Sequence, residues 1–248
     1  MAIEITFIVN AGVLIKGENT SILIDSLYRR EGMDSFSRPG KELSYDMING
    51  VPPFDNLTAY LFTHLHVDHG SPYVVAALKN KDIPVIFPYA SMYKNAYSGI
   101  KNPVTMLNYK EKKIQKLSIG DAKIICIPTE HAGSRFYFIE HFSYIIEIDG
   151  QNILVCGDVN DEDENLISEL SKHKIDAAIV NFSEVARKQG RELISKHISP
   201  KVLFLYHLPL PNEDRFGYIE MTNKCLRRYE DELPKKSIVA KYLEKTII

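Results

Sequence analysis

Apolar and polar residues alternate at the start of the chain, where Ile3, Ile5, Phe7 and Val9 mark the period of a strand with one buried face. A second strand is expected over 21–25, after the turn residues Lys16-Gly17-Glu18-Asn19. From 27 to 56 the periodicity fades, and Pro39-Gly40, Asn49-Gly50 and Pro52-Pro53 punctuate the chain. That stretch reads as a loop with one short helix. Beyond it, apolar runs predict strands over 59–62 and 84–87 around a helix over 72–79, and a further helix over 90–97. Short strands dominate 104–156, among them 123–127, 142–148 and 153–155, with Asp149-Gly150 as a tight hairpin turn. The last third alternates helices over 162–172, 184–196 and 219–230 with strands over 176–180 and 202–206. Many antiparallel strands with helices at both ends predict an α/β domain over 1–248, two packed sheets covered by helices and built from two halves.

Composition narrows the class without naming a function. The 248 residues are 45% hydrophobic and 25% charged, with 30 basic and 32 acidic side chains and a net charge of −2. Those values belong to an ordinary globular protein and exclude disorder. A charge near zero argues against broad nucleic-acid or anionic-membrane binding, so no nucleic acid is expected as a partner. The lysines at 110, 112, 113 and 116 form a short mixed cluster that reads as a solvated face. No apolar run approaches the roughly 20 residues of a membrane helix, and the first residues lack the pattern of a secretion signal. The three cysteines, Cys126, Cys156 and Cys225, are odd in number and widely spaced, which suits a reducing cytoplasm. Cys156, two residues before Asp158, is expected as a small buried side chain rather than a ligand.

The chemistry concentrates in the histidines. The strand ending at Phe62 runs into Thr63-His64-Leu65-His66-Val67-Asp68-His69-Gly70, which holds four potential metal ligands within six residues. In an extended stretch His64 and His66 project to one face. Asp68 and His69 point elsewhere as the chain turns toward a helix opened by Ser71-Pro72. One short loop can thus feed two ligands to one ion and two to its neighbour. Four such groups after a buried apolar strand would each need desolvation without a basic partner nearby in sequence. Histidine and carboxylate together suit zinc, manganese or iron.

On these residues the chain resembles the metallo-β-lactamase superfamily, whose His-x-His-x-Asp-His motif is matched by His64 to His69. The later motifs of that superfamily are similar to Glu130-His131-Ala132-Gly133-Ser134, to Val155-Cys156-Gly157-Asp158 and to Leu205-Tyr206-His207. The hairpin residues 11–15 and 22–25 are also similar to the family's opening strands. The resemblance implies a four-layer αββα sandwich of two mixed β-sheets flanked by helices. It further implies a two-metal site in which His64, His66 and His131 hold one ion and Asp68, His69 and His207 hold the other. Asp158 would bridge them, and Asp68 and Asp158 count as catalytic as well as metal-binding. In the family's chemistry a metal-bridging hydroxide cleaves the substrate. His141, ten residues after His131, is the competing third-motif residue and is read instead as a surface histidine at a strand end. His173 and His197 fall in charged helical segments and are read as solvated.

Within the family, the intact His-x-His favours hydrolysis over redox chemistry, because oxygen-reducing relatives carry Glu where this chain has His66. Ribonuclease Z is similar around the first motif but uses a basic arm that is not found here. The compact chain looks most like the L-ascorbate-6-phosphate lactonase-like subgroup. The expectation is therefore a cytoplasmic hydrolase of a small ester, lactone or phosphodiester with two divalent transition-metal ions, zinc first and manganese or iron next. Its partner is a small-molecule substrate, and the oligomeric state is left open. The alternative is a redox or oxygen-handling module with iron at the same site. Tyr28, Arg29, Arg30 and Arg135 are candidate anion contacts on substrate-facing loops, and Glu130 is a candidate to protonate the leaving group, although an exposed position is the favoured reading of each arginine and an exposed or structural carboxylate that of Glu130.

Overall fold

The computed structural model describes residues 2–28 and 36–248. The first half of the chain forms six strands of one sheet: β1 (Glu4–Phe7), β2 (Val13–Lys16), β3 (Ser21–Ile24), β4 (Ala59–Leu61), β5 (Val85–Pro88) and β6 (Val104–Leu107). The second sheet follows as β7 (Gln115–Ile119), β8 (Ala122–Thr129), β9 (His141–Ile148), β10 (Gln151–Val155), β11 (Ala177–Asn181), β12 (Val202–Tyr206) and β13 (Ser237–Val239). The last strand, β14 (Lys245–Ile247), returns to the first sheet and pairs with β1. Each sheet has seven strands in the described residues, and each runs from antiparallel hairpins into parallel pairs. The fold is therefore α/β with two mixed sheets, as expected.

Side-chain alternation explains the layers. In β2, Val13 and Ile15 enter the core between the sheets, whereas Leu14 joins a second cluster with Leu43 and Met47. In β12, Phe204 and Tyr206 face the same inner core, whereas Leu203 and Leu205 pack with Leu166, Leu193 and Ile194. The outer covers are helices: α1 (Lys41–Asn49) and α2 (Pro72–Ala76) on the first sheet, and α3 (Glu164–Leu170), α4 (Lys188–Glu192) and α5 (Tyr218–Arg228) in the second half. The strands have apolar residues on both faces because each sheet is covered twice. None of the described helices is long and apolar enough to cross a membrane.

Two helical expectations change in detail. The helix expected over 90–97 is two separate 3-10 turns, Ser91–Tyr93 and Tyr97–Gly99. The helix expected over 184–196 opens as a 3-10 turn (Phe182–Ala186), becomes α4 and closes as a π-helical turn (Leu193–Ile198). Here α4 lies so close to the preceding turn that a Cβ on Gly190 would stand 2.3 Å from the Glu184 carbonyl oxygen. The helix in the 162–172 region survives as α3, whose N-terminus is capped by the Asp163 carboxylate accepting the Leu166 N–H at 2.8 Å. The Asp149-Gly150 turn has φ of 48° and 75°, the left-handed pair of a two-residue hairpin.

Candidate metal centre

The site is assembled where loops leaving both sheets are sewn together. Thr63, two residues after β4, accepts the Phe142 N–H at 2.8 Å, and the Tyr144 hydroxyl donates to the Phe62 carbonyl at 2.5 Å. The loop after β8 is bound to the loop after β10, with Ala132 N–H donating to Asp158 O at 2.7 Å and a bridge between His131 and Val159. His207 follows β12 and donates its N–H to Asn10 O, beyond β1, at 3.0 Å. All but the Tyr144 hydroxyl are backbone–backbone attachments, so the functional side chains start from fixed positions.

All seven residues singled out in the sequence come together. His64 Nε2 lies 3.0 Å from His66 Nδ1, which lies 3.1 Å from His131 Nε2. Beside this group, His69 Nε2 is 2.9 Å from His207 Nε2, and His207 Nε2 is 3.5 Å from Asp68 Oδ2. Between the two, Asp158 Oδ2 lies 3.4 Å from His69, 3.6 Å from His207 and 3.8 Å from His131. Three sets of three, namely His64–His66–His131, His64–His69–Asp158 and Asp68–His69–His207, each keep their ligand atoms within 4.8 Å of one another. Tetrahedral sites with metal–nitrogen bonds of 2.0–2.1 Å place their nitrogens roughly 3.3 Å apart, so the observed spacings fit such an ion closely.

The supporting groups hold these side chains by their far ends. His69 Nδ1 is 2.9 Å from Asp25 Oδ2, the same carboxylate that accepts the Thr63 hydroxyl at 2.6 Å, while Oδ1 accepts the Thr63 N–H at 2.8 Å. His131 Nδ1 is 2.7 Å from the Ala132 carbonyl oxygen, and His64 Nδ1 is 3.1 Å from the Thr63 hydroxyl. Asn181, ending β11, donates its amide to Asp158 Oδ1 at 2.8 Å and leaves Oδ2 toward the histidines. Asn10 donates to the Asp68 backbone and carboxylate at 3.2 and 3.4 Å. Such outer contacts fix the orientation and tautomer of metal-binding side chains.

Electrostatics divide the cluster. Burial, reinforced by the neighbouring His69, keeps His64 well below the usual histidine range. Burial and then His131 bring His66 down to about 4. Burial also lowers His131. These three imidazoles are neutral, the form that binds metals. For His69, burial opposes the charge, but Asp158 and Asp25 outweigh it and hold the pKa well above normal. Burial likewise opposes ionisation of Asp158, yet His207 and His69 hold it well below the carboxylate range. Among the described residues, the ion-pair partners of the buried carboxylates Asp25 and Asp68, and of Asp158, are all histidines. This is a pocket short of positive charge.

His141 departs from expectation. It is the first residue of β9, but it is fully buried rather than at the surface. Its Nδ1 is 2.7 Å from the Thr129 hydroxyl, and its Nε2 accepts the Asp158 N–H at 3.0 Å. A Cβ on Gly157 would stand 2.4 Å from that same Nε2, and Gly157 has φ of 65°, so glycine is required there on two counts. His173 pairs with Glu169, and His197 is exposed. Cys156 is buried in the outer core of the second sheet. Lys110, Lys112, Lys113 and Lys116 are exposed, as expected.

The loop candidates fare unevenly. Tyr28 is buried, with its hydroxyl donating to the Ser37 carbonyl at 3.0 Å, so it is a structural residue rather than a substrate contact. Arg29 and Arg30 lie outside the described residues. Arg135 is exposed and lines the pocket over the cluster, its guanidinium 4.6 Å from the Phe136 ring centre. Glu130 is exposed. The supporting roles of Asp25, Asn10 and Asn181 are not anticipated from the sequence, and His141 is expected at the surface. Only Asp25 left a signal, as an acidic residue closing the fully apolar run Ile22-Leu23-Ile24.

No family model matches the chain, and no curated protein matches it in sequence. Solved structures do match in fold. A possible metal-dependent hydrolase from Veillonella parvula superposes with a TM-score of 0.71 at 14% identity, over 99% of each chain. The metallo-β-lactamase fold protein YhfI from Bacillus subtilis gives 0.67 at 15% identity, over 100% of this chain and 99% of that one. The diiron β-hydroxylase CmlA from Streptomyces venezuelae gives 0.64 at 12% identity, covering 99% of this chain but 54% of that one. With two mixed sheets, flanking helices and the His/Asp cluster at their joined loops, the chain has the metallo-β-lactamase fold.

Proposed function

We propose that the protein is a hydrolase that holds two divalent transition-metal ions, zinc first and manganese or iron next, and cleaves a small ester, lactone or phosphodiester. One observation carries this reading. Two adjoining groups of imidazoles and buried carboxylates converge with their ligand atoms, and no lysine or arginine neutralises the carboxylates among the described residues. His64, His66 and His131 would hold one ion, and Asp68, His69 and His207 the other, with Asp158 reaching both. When bound, such a pair lowers the pKa of water toward neutrality and offsets charge that develops on the scissile group.

The chain's own residues prepare the site for that chemistry. Asn181 fixes one oxygen of Asp158 and turns the other inward, while His141 holds the Asp158 backbone. Asp25 orients His69 through Nδ1. A pocket of about 340 Å³ opens above His66, Asp68, His131 and Asp158, a size for a small molecule. The unpaired Cys126, Cys156 and Cys225 suit the reducing cytoplasm that this reading assigns. The lactonase-like branch is the narrower form of the proposal, supported by the overall size and the early hairpin.

Metal analysis after reconstitution with zinc or manganese tests it first, with two equivalents per chain expected. Turnover of a panel of lactone, ester and phosphodiester substrates, lost in Asp158→Ala, tests it second. A chain that takes up no metal would overturn it. The diiron neighbour supports a second reading, an iron-dependent oxygen-handling module. Visible iron spectra with substrate-dependent oxygen consumption, and no hydrolysis, would select that one.

A further inference from the structure

The cavities beside the cluster are mainly apolar, and this bears on what the site accepts. Phe136 stands edge-on to His66 and His131, with ring centres 5.0 and 4.9 Å apart. On the other side Phe36 stands edge-on to His207 at 4.5 Å and 86°. Both rings line the 340 Å³ pocket, together with Val67 and Met92. Met92 also lines a second cavity of about 230 Å³, whose other walls include Leu65, Tyr89 and Phe138. The two cavities therefore meet at one flexible, unbranched side chain that is 66% exposed. Phe138 is 65% exposed on the far side, and Tyr137 beside it is 82% exposed. Apolar side chains thus line both cavities from the cluster past Met92 to Phe138, with Glu140 as the carboxylate in the wall of the second.

Charge points the same way. Among the described residues, the lining of the first pocket holds one arginine or lysine, Arg135, against the carboxylates of Asp68 and Asp158. Arg135 lies over the Phe136 ring at the mouth rather than at the floor. Arg187, three residues beyond the pocket-lining Glu184, is taken by Glu184 and by Asp161 at 3.4 Å. Among the described residues, a phosphodiester would find few fixed cations around its second ester arm, where recognition of phosphate ordinarily relies on arginine or lysine.

Resting on the hydrolase reading above, we propose that the substrate is an uncharged carboxylic ester or thioester whose acyl chain lies along the Phe136–Met92 track, with Phe36, Phe136 and Met92 setting specificity. In the reaction, water adds its oxygen to the acyl carbon and the acyl–oxygen or acyl–sulfur bond breaks. The bonding pair leaves on the alcohol or thiol, which takes a proton from the water, and the acid product releases its proton to solvent.

The test compares 4-nitrophenyl acetate, butyrate, hexanoate and octanoate with bis(4-nitrophenyl) phosphate on the metal-loaded protein. Each methylene taken into the track is expected to raise kcat/KM about fourfold until the track is filled. Phe136→Ala and Met92→Glu, checked for unchanged metal content, are expected to lower the octanoate-to-acetate ratio about tenfold or more. A second measurement needs no turnover: calorimetric binding of the acetate-to-octanoate carboxylates, expected to tighten with chain length and to lose that dependence in Met92→Glu. Flat binding across the series, or a preference for the phosphodiester over every ester, overturns the acyl assignment. Chain-length-dependent binding without hydrolysis of any substrate overturns the hydrolase reading and leaves the acyl track standing.

Discussion

Asp25 Oδ2 stands 2.9 Å from His69 Nδ1, and both side chains are fully buried. The carboxylate sits at the end of β3, in a residue with φ of 46°, and reaches the loop after β4 through Thr63 as well. It thereby fixes the ring that faces His207 and Asp158. Removing it should free the His69 ring and leave the Thr63 donors unpaired. Asp25→Asn is expected to weaken metal binding by about 10–100-fold, as the loss of an outer carboxylate partner does elsewhere. Competition with a chromophoric chelator measures this, and unchanged affinity would remove Asp25 from the site.

In the proposed site the two candidate ligand groups flank Asp158, which makes them separable. His131 belongs with His64 and His66, and His207 with Asp68 and His69. His131→Ala and His207→Ala are each expected to reduce tight metal from two equivalents to one, while Asp158→Ala weakens both. Elemental analysis after dialysis against a weak chelator checks this. If either histidine variant kept both ions, that histidine would lie outside the ligand set.

Much of this site was legible in the chain because its parts are local. His64, His66, Asp68 and His69 follow one buried strand, and strand-end positions put Asp158 and His207 at the same edge. What escaped depends on partners remote in sequence. His141 opens β9, and a histidine there reads alike whether Thr129 and Asp158 bury it or water covers it. The strands β13 and β14 are three residues long; β13 is held by β12 across α5, and β14 by β1 at the other end of the chain. The run 184–196 carries a helical pattern, yet the close approach of Gly190 to Glu184 breaks it into three kinds of turn.

Gly157 offers a test of packing at the site independent of metal. A side chain there meets both the left-handed φ of 65° and the ring of His141 at 2.4 Å. The backbone term alone costs roughly 1–2 kcal/mol, and the buried clash adds to it. Gly157→Ala is expected to lose at least about 2 kcal/mol in urea denaturation of the metal-free protein. A loss below about 0.5 kcal/mol would mean that the loop after β10 relaxes freely.

Glu184 gives the chain a dependence on pH that can be assigned to one group. It is 2% exposed, and burial, with a smaller contribution from Asp161, pushes its pKa up to about 8 against the pull of Arg187. An unfolded Glu ionises near 4.3, so between about 4.5 and 8 the native chain holds a proton that the unfolded chain has lost. The stability tied to that proton is complete below the window and falls as pH rises through it. Glu184→Gln has no such proton, so wild type should lose stability relative to the variant by at most about 1.4 kcal/mol per pH unit. Urea midpoints of both metal-free proteins at about pH 5, 6.5 and 8 measure the difference. A gap that stays constant over that range would show that Glu184 is already ionised in the folded protein.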